Sequence, residues 1–409
     1  MAKSRPLPIL FVYVVIELLG FSLILPLLPY YAQTFGATPV VIGLLGTSNA
    51  LAQFVGAPLV GRFSDRYGRR PLIILGISAS LVGFVMLGLA QSTAMVFASR
   101  IIDGLLGGNI ALAQAYITDV TDEENRARGL GIIGAAFGIG FIVGPAIGGL
   151  LSQWGYAVPA LASAALCAVN LVWVLISLPE SLTPERRQAL AAKPNPPITG
   201  RALIAALRRP NVGPLLHTRL FYALAFGLFQ SNFALVALYQ IGLGSQPTAY
   251  ILAYVGLLSV LVQGLAVGRL SARFPDSRLI LAGSIGIALA LLVWGFAASV
   301  PLLLVVLAPL SLAAGTLNTL LNSALTKAVP PDEVGGTLGL SAALQSLAGI
   351  AAPSLGGLLL QRLGPWSIGV LGAAIMLWLA TFVWRHLLRN HSAANEGPYH
   401  PLRAFRERS

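Results

Sequence analysis

Twelve apolar runs, each long enough to cross a hydrocarbon core, leave this chain few ways to fold. They fall at 7–32, 39–62, 71–91, 94–118, 127–152, 156–178, 212–240, 247–269, 278–298, 301–326, 334–361 and 366–388. A span needs roughly 20 such residues, and in lipid each backbone N–H and C=O must be satisfied inside its own segment. The runs are therefore helices, and the fold class is all-α and integral to the membrane. Only 10% of the 409 residues are charged, against about 25% in soluble domains. The net charge of +12 is dispersed over short connections rather than along one soluble face, which argues against a nucleic-acid partner. Cys167 is the single cysteine and lies in an apolar run, and the four histidines show no metal-ligand spacing. No metal site and no disulfide framework are expected. The first run is too long for a signal-peptide core of roughly 7–15 residues, so it reads as the first span.

Lys and Arg fix the orientation. The even-numbered connections carry Arg62, Arg66, Arg69 and Arg70; Arg126 and Arg128; Arg186, Arg187, Lys193, Arg201, Arg208 and Arg209; Arg269, Arg273 and Arg278; and Lys327. The odd-numbered ones hold only Arg362. Positive charge is retained on the cytoplasmic side, so both termini and the 179–211 connection are expected there, in a multi-pass protein of the plasma (inner) membrane. Pro179, Pro184, Pro194, Pro196 and Pro197, among mixed charges, make 179–211 a linker, with an amphipathic stretch around Gly200–Arg209. The expected organisation is a six-helix bundle over 1–178, the linker, a second bundle over 212–389, and a cytoplasmic tail over 390–409.

The halves repeat. Gly131 through Gly144, Pro145, Gly148 and Gly149 matches Gly339 through Ala352, Pro353, Gly356 and Gly357, at an offset of 208. Gly61-Arg62-Phe-Ser-Asp65-Arg66 matches Gly268-Arg269-Leu-Ser-Ala272-Arg273, at an offset of 207. Two unrelated motifs at one offset point to a duplicated six-helix unit, an architecture common among membrane transporters.

These residues resemble the major facilitator superfamily over essentially the whole chain. Gly61 to Arg70 (GRFSDRYGRR) is similar to its signature between spans 2 and 3. Arg100-Ile-Ile-Asp103-Gly104 resembles its span-4 motif. Gly140-Phe-Ile-Val-Gly144-Pro145-Ala-Ile-Gly148-Gly149 is similar to the span-5 motif of drug:proton antiporters. Glu17-Leu-Leu-Gly20 through Pro26 and Pro29 resembles the span-1 pattern of twelve-span antiporters. Ala115 to Asp119, with Arg126 and Arg128, is similar to tetracycline-type exporters. The chain departs from the pattern in having Glu17 where Asp is usual, and Asp103 where a neutral residue is frequent. Spans 3, 5 and 7–12 hold no acidic residue in their interiors.

Several residues carry possible chemistry. Glu17 lies about ten residues into span 1, roughly 15 Å deep at 1.5 Å per residue. An ionised carboxylate there is costly, so the protonated acid is favoured, and a carboxyl that loads and releases a proton suits proton coupling. Arg100 and Asp103, three residues apart, share a helix face; they read either as a self-compensating pair that only orients the helix, or as a functional pair in which Arg100 modulates the proton affinity of Glu17 and Asp103 is a second acceptor. The resemblance implies that Gly61, Asp65, Arg66, Gly68, Arg69 and Arg70 form a cytoplasmic latch. In it Asp65 docks at the N-terminus of span 11, through a network reaching Asp119, and holds the outward-facing state. It also implies that Gly140, Gly144, Pro145, Gly148 and Gly149 seal the interior side against leak; Pro353 repeats that kink. Arg219 reads first as a side chain snorkelling to the cytoplasmic edge, and second as an anion or substrate contact beside Tyr222. The remaining cavity candidates are Asn49, Gln53, Asn109, Gln114, Gln230, Asn232, Tyr254, Gln263, Asn318, Asn322 and Gln345. They are few and uncharged, which suits an amphipathic substrate.

The expected function is proton-coupled efflux of amphipathic organic compounds by alternating access. A lipid or glycolipid transporter of the same fold is the alternative. No catalytic residue and no cofactor beyond the proton gradient are expected. The expected partners are the lipid bilayer and a small amphipathic substrate, with the chain a monomer.

Overall fold

The computed structural model describes residues 6–107, 109–121, 123–192, 200–330 and 333–389. Among them twelve helical spans are present: span 1 Leu7–Ile24, span 2 Pro39–Tyr67, span 3 Arg69–Gly88, span 4 Thr93–Val120, span 5 Gly129–Trp154, span 6 Ala157–Ser177, span 7 Gly213–Ile241, span 8 Ser245–Arg273, span 9 Asp276–Gly295, span 10 Val300–Lys327, span 11 Val334–Leu363 and span 12 Trp366–Leu388. The 390–409 tail and Lys193 lie outside the described residues, as do the side chains of Arg126 and Arg128. Two short helices, Pro184–Ala192 and Gly200–Leu207, stand in the linker.

Two boundaries differ from the hydropathy reading. The first run is not one helix: it stops at Ile24, turns through Leu25–Leu27 and resumes over Leu28–Thr34. Pro26 supplies no N–H and disfavours helical backbone at the residue before it. The Gly61–Arg70 stretch is not a loop either. Span 2 stays helical to Tyr67, and span 3 starts at Arg69. The turn between them is Gly68 alone, at φ 109°, where a side chain would be strained. Charges end the hydrocarbon stretch, but only the backbone demand of Gly68 ends the helix.

The spans pack as two pseudo-symmetric six-helix bundles. In the first half span 1 packs on spans 5 and 6, span 4 on spans 2 and 3, and span 3 on span 6. In the second half span 7 packs on spans 11 and 12, span 10 on spans 8 and 9, and span 9 on span 12. Adding six to each number converts one set into the other. Two pairs cross between halves, span 2 with span 11 and span 5 with span 8, and the same operation exchanges them.

Those crossings are tight only at the end remote from the linker. A Cβ on Gly43 would lie 2.5 Å from the Pro353 carbonyl oxygen, and one on Gly256 2.5 Å from that of Phe141. The Thr47 hydroxyl donates to Ile350 O at 2.6 Å. Tyr30 and Thr248 share a hydrogen bond at 2.6 Å, and Ser152 and Ser245 one at 3.3 Å. Toward the linker the same four spans separate. Gly61, Gly131, Gly134, Gly264, Gly268, Gly335 and Gly336 face open space, and Leu59, Phe63 and Tyr67 are exposed. The space between the halves therefore opens toward the linker.

Candidate functional site

Six side chains, Glu17, Ser80, Arg100, Asp103, Asn109 and Asn170, converge on the middle of the first bundle. Glu17 stands near the centre of span 1. Asn109 of span 4 donates its Nδ2 to Glu17 Oε1 at 2.5 Å, and Asn170 of span 6 donates to Oε2 at 3.3 Å. The same two residues hold the neighbouring turn of span 1: the Tyr13 hydroxyl donates to Asn109 O, and Asn170 Nδ2 also donates to Tyr13 O. Earlier in span 4, Arg100 Nη1 meets Asp103 Oδ2 at 3.3 Å, and Ser80 of span 3 donates to Asp103 Oδ1 at 2.8 Å. The Arg100 guanidinium lies 4.9 Å from the centre of the Phe84 ring, a cation–π contact. Arg100 and Asp103 compensate each other in a buried setting, leaving Glu17 facing only neutral donors.

Small residues make this cluster possible. A Cβ on Gly76 would overlap Asn109 Oδ1, and one on Gly83 would press on Ser99 O at 3.0 Å. Asn49 anchors span 2 to the same turn by donating to Arg100 O at 2.8 Å.

A second cluster closes the linker end of the first bundle. Arg69 meets Asp65 Oδ1 at 2.7 Å and Asp119 Oδ2 at 3.0 Å, and its Nη1 donates to Ser64. Ser181 donates to Asp119 Oδ2 at 3.1 Å. Arg69 at the start of span 3 and Asp119 near the end of span 4 both oppose their helix dipoles. Glu180 offsets the first of these. Its carboxylate accepts from the backbone N–H of Arg69 at 2.9 Å and of Arg70 at 3.2 Å, so a negative charge caps span 3. Arg70 donates to Leu175 O, whereas Arg66 is exposed. In this state Asp65 is held by Arg69, and span 11 presents its own pair to the linker, Glu333 with Arg209 at 2.6 Å.

The span-5 glycines divide between two neighbours. Gly140, Gly144 and Gly148 face span 1, against Leu18, Ser22 and Leu23, and Gly149 faces Ala249 of span 8. Ser22 donates to Gly140 O at 2.7 Å. The repeat does the same: Gly356 faces Asn232 of span 7, Gly357 faces Pro39 of span 2, and Pro353 rests on Gly43 and Gly46. Pro145 and Pro353 both lie inside continuous helices. The contacts between halves made by this motif lie remote from the linker, not on the interior side where the resemblance placed the seal.

The polar candidates separate into classes. Asn49, Asn109, Asn232 and Tyr254 bridge helices, Asn232 toward Ala352 O at 3.5 Å and Tyr254 to Leu304 O at 3.4 Å. Gln345 donates within its own helix. Gln53, Gln114, Gln230, Gln263 and Asn322 are exposed; Gln263 stands in a π-helical turn, Val262–Ala266, a frequent mark of functional positions. Arg219 does not snorkel. It is 3% exposed and donates Nη1 to Asn318 Oδ1 at 2.7 Å, and Tyr222 below it donates to Ala314 O.

Hydropathy overlooked Asn170, Ser80, Tyr13 and Glu180. Asn170 carried a usable signal, an amide alone in the apolar run of span 6. Glu180 carried none, because its role depends on where the linker folds back.

Comparison with known proteins bears on this arrangement. The family model described as Major Facilitator Superfamily matches residues 10–275 and 248–407. The chain is 29% identical over 395 residues to solute carrier family 67 member A1 of Homo sapiens, covering 94% of this chain and 93% of that one. It is 30% identical over 366 residues to the class C tetracycline resistance protein of Escherichia coli, covering 86% and 89%. The crystal structure of the human organic anion transporter MFSD10 superimposes with a TM-score of 0.67 at 23% identity, covering 94% of this chain and 100% of that one.

Proposed function

The chain belongs to the Major Facilitator Superfamily, and from that premise we propose that it is a proton-coupled exporter of amphipathic organic compounds. One observation carries the reading. Glu17, at mid-depth in span 1, is held by neutral amides of spans 4 and 6. An acid that can gain or lose a proton between two helices of a moving bundle lets the proton gradient bias that movement. The resemblance to a tetracycline resistance protein supports export. Lys and Arg gather at the linker end, so that end is cytoplasmic and the present state faces inward. In the cycle, Asp65 would leave Arg69 and dock on span 11 when the cytoplasmic side closes. One chain supplies both halves, so a monomer suffices, seated in the plasma (inner) membrane with its substrate drawn from the cytoplasm or the bilayer.

A second reading, translocation of a lipid or glycolipid, draws on an apolar cleft of about 340 Å³ between spans 1, 5 and 6, lined by Leu19, Leu23, Ile147 and Leu166 among others. Reconstituted vesicles separate the two. Export requires proton movement tied to efflux of tetracycline or an amphipathic dye, whereas lipid translocation moves a labelled phospholipid between leaflets.

A further inference from the structure

Among the described residues of the second bundle, one buried charge has no acidic partner. Between residues 213 and 388 the acidic residues are Asp276 and Glu333, both at the linker-side boundary, and Asp332, which lies outside the described residues. Asp276 is paired with Lys327, and Glu333 with Arg209. Arg219 lies six residues inside span 7, about 9 Å along the helix, and is 3% exposed. Its one described acceptor is the neutral amide oxygen of Asn318, and its Nε is buried without any partner. Leaving a buried ion uncompensated is strongly destabilising, so such a charge persists where a ligand completes it.

Spans 10 and 11, which both pack on span 7, each carry a further buried hydroxyl without a partner, Thr316 and Ser341. The aromatic ring of Tyr222 lies 6.0 Å from the guanidinium carbon. A buried guanidinium with an unused N–H, one neutral acceptor and an aromatic ring beside it suits an anion carrying an apolar body.

We propose that Arg219 is the anchor of an anion-binding subsite in the second bundle, and that the transported compounds include amphipathic organic monoanions, such as aryl carboxylates or sulfonates. Asn318 holds the acceptor position beside Arg219 and yields it to the ligand. The proposal deepens the export reading and leaves Glu17 its separate role, since the charge is received in one bundle and the proton in the other.

The test compares a charged probe with its uncharged twin: 1-naphthaleneacetate and its methyl ester, measured by ligand-induced thermal stabilisation and by titration on purified full-length protein without a pH gradient. Wild type should bind the acid at least tenfold more tightly than the ester. R219Q should remove that preference and R219K keep part of it. N318A, which frees the guanidinium, should retain or strengthen acid binding. E17Q should leave the preference unchanged, so loss of proton coupling in E17Q is read separately from anion selectivity. Equal binding of acid and ester by wild type, or an undiminished preference in R219Q, overturns the proposal. Should R219Q fail to fold, R219K and N318A decide: a weakened acid affinity in N318A contradicts the placement of Asn318.

Discussion

Asn109 brings its amide to 2.5 Å from the Glu17 carboxyl, tying the middle of span 4 to the middle of span 1. Both residues are needed to describe the site, and neither apolar run predicts the other's register. Replacing Asn109 by Ala removes that donor and leaves Glu17 with Asn170. A lost buried hydrogen bond to a group of this kind costs about 1–3 kcal/mol. N109A is expected to lower the unfolding temperature in detergent and to slow proton-driven efflux at least tenfold, while Q53A, at an exposed position, changes the unfolding temperature little.

The glycine contacts between the halves set the second prediction. Gly43 faces Pro353 O, and Gly357 faces Pro39 O. A Val at either position props spans 2 and 11 apart at the end remote from the linker. Spin-label distances across that end should lengthen by several ångströms in G43V and G357V. G335A, placed where a Cβ meets nothing, should leave them unchanged.

The two bundles tie equivalent helices with opposite signs. Arg69 and Asp119 join the start of span 3 to the end of span 4; Asp276 and Lys327 join the start of span 9 to the end of span 10 at 2.9 Å. The second arrangement agrees with the helix dipoles, and the first opposes them. The side chains are 9% and 5% exposed in the first pair, but Lys327 and Asp276 are 68% and 31% exposed. R69A should therefore be the more destabilising, since Asp119 keeps only the Ser181 hydroxyl and the exposed Arg186 at 3.7 Å, and K327A should cost less than about 1 kcal/mol. Thermal or denaturant unfolding of the two variants decides this.

How much of this was legible beforehand follows from what each feature depends on. The twelve spans and the half repeat depend on composition and local spacing, which hydropathy reads directly. The single-residue elbow at Gly68 depends on one backbone angle, and the break at Leu25–Leu27 on Pro26; both are local, yet neither changes the hydropathy profile. Arg219 was misjudged because snorkelling is the default for a cation 9 Å from an edge, and its amide partner Asn318 lies 99 residues away. Asn170 and Glu180 act through contacts between helices, and sequence spacing carries no information about those. Glu17, by contrast, was conspicuous because an acid in hydrocarbon needs a reason.

Asp65 gives a fourth prediction. In the present arrangement its carboxylate is held by Arg69 at 2.7 Å. If it moves to span 11 when the linker side closes, D65N costs the open state one of Arg69's three partners, Asp119 and Ser64 remaining, but costs the closed state its whole contact with span 11. Spin-label distances between the linker ends of spans 2 and 11 should then shift toward the open population, with unfolding temperature little changed. Equal populations in D65N and wild type would return the residue to a local partner of Arg69.

The measurement that bears most directly on the account is transport in inside-out vesicles under an imposed pH gradient, for wild type and E17Q side by side. Substrate movement is followed with tetracycline, an amphipathic cationic dye and 1-naphthaleneacetate, and proton movement with a pH-sensitive dye. The account predicts that E17Q binds substrate but neither concentrates it against a gradient nor moves protons in exchange. Concentrative transport and proton flux in E17Q equal to wild type would contradict it.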